Sequence, residues 1–303
     1  MILALTVQTL SVQNEFRTKM NTSSQGSLPA SPDVAVLVGD LHASKKIDRD
    51  ERARLQDRLR ETLRALEELL RQDGLVPGAP APLATRLALT GGDEFQGVFR
   101  EPAAAVLVVR EISERLHPHK VRFGLGRGPL ATRLADHPAE MDGPAFHRAR
   151  AALDRARARD ALLAAEGFGD EVDDILSALF HLLGAQRERW TRRQLEYVRA
   201  LRQQVAAPSR EGRPGTTSRP KGEPAAGGSP ARPGSGAPTS PDLLLALAAP
   251  GRHVDPRSIF RGVQFRAARA LGISPATLSR GLRAAGFFAI TAAEHAALRL
   301  LAR

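Results

Sequence analysis

Leu83 to Phe99 reads LATRLALTGGDEFQGVF, two short apolar runs separated by Gly91-Gly92-Asp93-Glu94. Glycine and aspartate are what a tight turn between antiparallel strands selects, so the stretch predicts a β-hairpin. Upstream, Val34 to Val38 (VAVLV) is a continuous apolar run ending in Gly39-Asp40, with the length and β-branching of a strand buried on both faces. Between the two, Asp48 to Arg71 places Leu55, Leu59, Leu63, Leu66 and Leu70 at spacings of three and four among charges, which predicts an amphipathic helix. Downstream, Ala103 to Leu116 predicts a largely apolar helix and Val121 to Gly126 a strand. Gly143 to Ala165 and Glu171 to Leu183 read as helices, the second with Val172, Ile175, Leu176, Leu179 and Leu183 on one face.

The order β-α-β-β-α-β, followed by helices, predicts an α+β fold of the ferredoxin-like or palm type, an antiparallel sheet with helices on one face. Residues 33–186 make up this domain. Before it, residues 1–32 are polar, rich in Ser and Gly, and read as a disordered leader, with Met20 an alternative start. Residues 206–241 hold 8 Pro, 7 Gly and 8 Ser or Thr in 36 positions, a composition that cannot bury enough surface to order itself and reads as a flexible linker. On either side lie residues 187–205, with Trp190, Leu195, Val198 and Leu201 on one helical face, and a helical module at 242–303.

The 303 residues include no cysteine, which excludes disulfides, thiolate metal sites and thiol nucleophiles and favours a reducing compartment. No run approaches the roughly 18 to 20 apolar residues that span a bilayer, so a soluble cytoplasmic protein without a membrane partner is expected. The net charge of +11 is unevenly spread: residues 187–303 hold 20 basic and 7 acidic side chains, net +13, whereas the first 186 residues are close to neutral. A cationic segment on a near-neutral body points to a polyanion partner, nucleic acid first.

Gln264 to Ala285, QFRAARALGISPATLSRGLRAA, has the pattern of a helix-turn-helix. Ala268 is small enough for two helices to approach, Gly272 permits the turn, and Leu278 and Leu282 hold the second helix to the first. Ser274 is the expected N-cap and Pro275 the first helical residue. Ser274, Thr277, Ser279, Arg280 and Arg283 are the candidate DNA-contacting residues, since Thr and Ser bond phosphates or base edges and arginine does either with charge assistance. The alternative is a helical hairpin that only packs or dimerises.

In a palm, the end of the first strand lies beside the hairpin, so Asp40, Asp93 and Glu94 are expected to converge. Such carboxylates could hold Mg²⁺, and a pair of ions would support phosphoryl transfer. Gly39, Gly91 and Gly92 would leave room for a nucleotide, and Ser44 and Lys45 would grip its phosphates. A hairpin turn selecting Gly and Asp for its own sake is the competing explanation.

The set VGDLHASKKIDRDE, LTGGDEFQGVF, VRFGLGRGPLAT and MDGPAFHRARAAL, followed by a helix-turn-helix, resembles the bacterial SatD family. The N-terminal half is in turn similar to the palm domains of GGDEF diguanylate cyclases and class III nucleotidyl cyclases. That resemblance implies a metal-binding role for Asp40 and Asp93, with Glu94 as an accessory. Gly143 to Ala152 resembles the cyclase helix that bears an Asn and an Arg for ribose and phosphates; here His147, Arg148 and Arg150 stand in the region, which adds Arg148 and Arg150 to the nucleotide-binding set. The cyclases work as dimers, so a homodimer is implied. Three functions follow: a SatD-type DNA-binding transcription regulator with a nucleotide- and Mg²⁺-binding palm, a cyclase-like phosphoryl-transfer enzyme, and a degenerate palm used only to dimerise.

Overall fold

The computed structural model describes residues 33–42, 47–73, 75, 79–206, 260 and 262–302. The leader 1–32, Ser44 and Lys45, the linker beyond residue 206 and the start of the C-terminal module lie outside the described residues.

The sheet is built from β1 (Val34–Leu41), β2 (Ala88–Gly91), β3 (Glu94–Phe99), β4 (Val121–Gly128) and β5 (Leu163–Glu166) in the order β2-β3-β1-β4-β5. The first four strands pair antiparallel in the order of a ferredoxin-like unit, as the sequence predicts. In the hairpin, Gly92 turns the chain at φ 61°. α1 (Arg49–Leu70) begins at Asp48, whose carboxylate caps the Asp50 amide, and buries the five predicted leucines. With α2 (Ala104–Leu116) it covers the sheet face that carries Ala35, Leu37, Phe95, Phe99 and Phe123.

Two expectations are corrected. The predicted helix Gly143 to Ala165 ends early: α3 (Pro144–Ala158) stops at Arg159, Asp160 turns at φ 49°, and β5 pairs parallel to β4. Moreover, helices do not occupy one face alone, because α3 packs on the opposite face, against Val34, Val36, Val38 and Val98. The glycines of β4 make this possible. A Cβ at Gly124 would lie 2.1 Å from the Ala149 carbonyl oxygen, and one at Gly126 2.2 Å from the Ala149 nitrogen. The GLGRG run is therefore a seat for a helix.

α4 (Asp170–Glu188) buries Leu176, Phe180 and Leu183, a face rotated from the predicted one, so that Ile175 is exposed. α5 (Arg192–Ala206) packs against α6 (Val263–Ala270) and α7 (Pro275–Ala284), and α8 (Phe287–Leu301) closes the group. Trp190 is buried and donates from Nε1 to the Ala285 carbonyl at 2.8 Å, a packing role as expected.

The palm and the C-terminal helices form one compact unit. Glu294 of α8, 1% exposed at its side chain, accepts from Arg110 of α2 at 3.0 Å and from Arg187 of α4, and lies 3.5 Å from Arg202 of α5. Glu114 of α2 also pairs with Arg202. Among the described residues, no single helix is long and apolar enough to cross a membrane.

Candidate functional sites

At the palm rim, the register sets Asp40 of β1 opposite Glu94 of β3. Both point to the face covered by α3, and two arginines about two turns apart on that helix reach them. Arg157 holds Asp40 at 2.8 Å, and Arg150 binds Glu94. Burial opposes the charge on Arg157, but its bonds to Asp40 and Asp154 outweigh this and hold its pKa above the ordinary arginine value.

Asp93 belongs to a different neighbourhood. Its side chain turns to α1, where Arg52 donates at 3.0 Å and Gln56 at 2.8 Å. The expectation that Asp40, Asp93 and Glu94 converge is therefore corrected: the two-residue turn sends Asp93 toward one helix layer while the pleat sends Glu94 toward the other. Among the described residues, no group of three or more His, Asp or Glu side chains is placed to hold a metal ion. Asp40 and Glu94 each carry a guanidinium partner from α3.

Of the proposed nucleotide-binding residues, Gly39 gives space to the Phe95 ring, to which a Cβ would come within 2.1 Å. Gly91 and Gly92 face open space at the hairpin. Arg148 donates to the Arg127 carbonyl and braces β4, whereas Arg150 lies at the rim.

Beside Arg150 is a feature that the sequence reading missed, a cleft of about 260 Å³. Val38 and Gln96 form its floor, Pro138, Ala139 and Met141 one wall, and Phe146, His147 and Arg150 of α3 the other. The wall is pinned to the body through Asp136, which accepts from Arg71 at 2.7 Å and Arg86 at 2.8 Å. The Arg86 hydrogen bond chiefly holds the Asp136 carboxyl below its usual range, with desolvation opposing and Arg71 assisting. His147 is exposed and sits 3.5 Å from Asp142. Gln96 is only 8% exposed overall and lines the cleft. In sequence it reads as an ordinary polar strand position, which hid it.

In the C-terminal helices, Gly272 turns at φ 65°, the Ser274 hydroxyl accepts from the Thr277 amide at 3.1 Å, and Ala268, Leu278 and Leu282 are fully buried. These are the features the helix-turn-helix pattern predicts. Arg280 and Arg283 are exposed on α7, Thr277 and Ser279 are half-buried, and the Ser274 hydroxyl is committed to the cap.

These elements define an α+β palm with a parallel strand added at its edge, fused to an all-helical C-terminal region. The SatD family model matches residues 34–207, more than half of the chain, and the chain belongs to that family. Among solved structures it is similar to a bacterial light-regulated adenylyl cyclase at 14% identity and a TM-score of 0.29. That match covers 55% of this chain and 56% of the cyclase chain, so the chain spans little more than half of that structure's length. No curated protein matches.

Proposed function

We propose that the chain is a DNA-binding transcription regulator of the SatD type, in which α7 contacts DNA and the palm serves as a nucleotide-binding domain docked against the DNA-binding helices. The observation that carries this reading is the surface of α6 and α7. From Val263 to Gly286 the chain has four arginines, Arg266, Arg269, Arg280 and Arg283, and no acidic residue. Arg280 and Arg283 are exposed on the second helix of a capped, glycine-turned pair whose other face is buried. A helix with that placement fits a major groove, where arginine reads guanine or binds phosphate. The buried contacts of Glu294 support the docking, because they join the palm to α8 without passing through the linker.

Fluorescence anisotropy of the full chain on labelled duplex DNA, titrated across salt, tests the proposal. Each phosphate contact contributes about 0.9 to the slope of log K against log salt, so Arg280→Ala with Arg283→Ala should reduce the slope by up to about 2 and weaken binding. Equal affinity and slope in the double variant would refute this surface.

A further inference from the structure

We propose that two copies of the chain pair through α4, antiparallel and about a two-fold axis level with Phe180. The inference goes beyond the DNA-binding reading and does not depend on it.

The face that α4 turns to solvent is the reason. The sequence pattern groups Ile175 with the buried leucines, yet the helix buries Leu176, Phe180, Leu183 and Arg187 and leaves Ile175 42% and Leu182 67% exposed. These two are seven residues apart, so two turns of helix set them on one line. Glu171, Ala178, Ala185 and Arg189 are exposed as well and fall on the same line. From Glu171 to Arg189 the steps alternate between four residues and three, which is the alternation of a seam between two packed helices. Here that seam lies opposite the core-facing side of the helix and faces water.

The occupant that fits it is the same helix reversed. With two copies antiparallel and level at Phe180, Ile175 meets Ala185 of the second copy, Leu182 meets Ala178, and Glu171 meets Arg189, each contact made twice. Large side chains then oppose small ones, so the two surfaces interdigitate. Opposite charges close both ends of the seam. A parallel pair would set Glu171 on Glu171, Arg189 on Arg189 and Leu182 on Leu182, with like charges together and no small residue to receive the leucine. The helix ends agree with the antiparallel sense: Asp170, Glu171 and Asp173 stand in the first turn of α4 and Arg187 in the last, so reversal brings an acidic end beside a basic one. A patch that complements itself in this way is the mark of an isologous two-fold contact, and it selects a second copy over an unrelated protein. One helix pair makes a small interface, so self-association in the micromolar range is expected.

Sedimentation velocity of the full chain at low salt, from micromolar to hundred-micromolar loading, tests this. A concentration-dependent monomer–dimer equilibrium is expected. Leu182→Glu, at a position open to solvent, should weaken it at least tenfold. Glu171→Arg and Arg189→Glu each set like charges face to face and should weaken it several-fold, whereas the double swap should restore it, because the exchanged charges meet again only in the antiparallel pair. Added salt should shrink these charge effects and leave that of Leu182→Glu in place. Circular dichroism confirms that each variant is folded, and if one is not, the remaining substitutions carry the comparison. A chain that stays monomeric throughout, or a dimer unchanged by folded Leu182→Glu, overturns the inference. Failure of the double swap to restore association overturns the antiparallel arrangement. DNA binding by α7 is read in a separate assay, so either conclusion can fall without the other.

Discussion

Replacing Glu294 by Gln should destabilise the protein far more than any surface ion-pair change. Three arginines, Arg110, Arg187 and Arg202, converge on two carboxylates, Glu114 and Glu294, and all five side chains are 6% exposed or less. Guanidinium groups taken out of water are tolerable only while the carboxylates offset them, and burial already lowers the Arg187 pKa against the raising effect of Glu294. Among the described residues, Nε and Nη1 of Arg187 and Nε of Arg202 lack hydrogen-bond partners, so little reserve exists. Glu294→Gln keeps the shape and leaves three guanidiniums facing one carboxylate. Breaking a buried pair in this way costs about 3 to 5 kcal/mol. At about 2 to 4 °C per kcal/mol for a protein of this size, Tm should fall by about 6 to 20 °C. Thermal unfolding followed by circular dichroism reads the shift, with Asp57→Asn as the control: that carboxylate pairs with Arg60 on the exposed surface of α1, and such pairs contribute about 1 kcal/mol or less. A fall of less than about 2 °C for Glu294→Gln would refute the claim that this cluster fastens α8 to the palm.

Gly126→Ala should disrupt the palm, because the new methyl would sit 2.2 Å from the Ala149 nitrogen and 2.5 Å from the Ala145 carbonyl oxygen, both backbone. A loss of about 3 kcal/mol or more in urea unfolding is expected, whereas Gly91→Ala, with open space around it, should cost less. His117 gives a pH signature. Burial lowers its pKa below the ordinary 6.5, Arg199 adds to this, and the bond to the Trp190 carbonyl opposes it. The unfolded chain then binds the proton more readily, so stability should fall as pH drops below about 6.5, and His117→Asn should flatten that slope in urea titrations between pH 5 and 8. Asp93→Asn should weaken the tie to Arg52 and cost about 1 kcal/mol in the same assay.

The strands and helices that carry strong apolar periodicity were legible in the sequence, because burial on one side imposes that period. The leucines of α1, the hairpin around Gly92 and the cap at Ser274 all stand where their local chemistry puts them. β5 was not legible. Leu163 to Glu166, LAAE, consists of good helix formers, and only parallel pairing with β4 makes it a strand. Placement of α3 on the second face likewise depends on glycines in β4 meeting a helix some twenty residues later. At the rim, strand-end and hairpin positions were readable, but the direction of each carboxylate was not, since Asp93 and Glu94 are adjacent in sequence and face different helices. Glu294 and Arg110 are 184 residues apart, and no local pattern announces their contact.

The central claim is that the chain recognises DNA through α7. Selection of duplexes from a random-sequence pool by the purified full chain, followed by hydroxyl-radical footprinting on the enriched sequence, tests it most directly. The account predicts an enriched motif and a protected segment, both lost in the Arg280→Ala, Arg283→Ala variant. A pool that shows no enrichment, or the same motif and footprint with that variant, would contradict it.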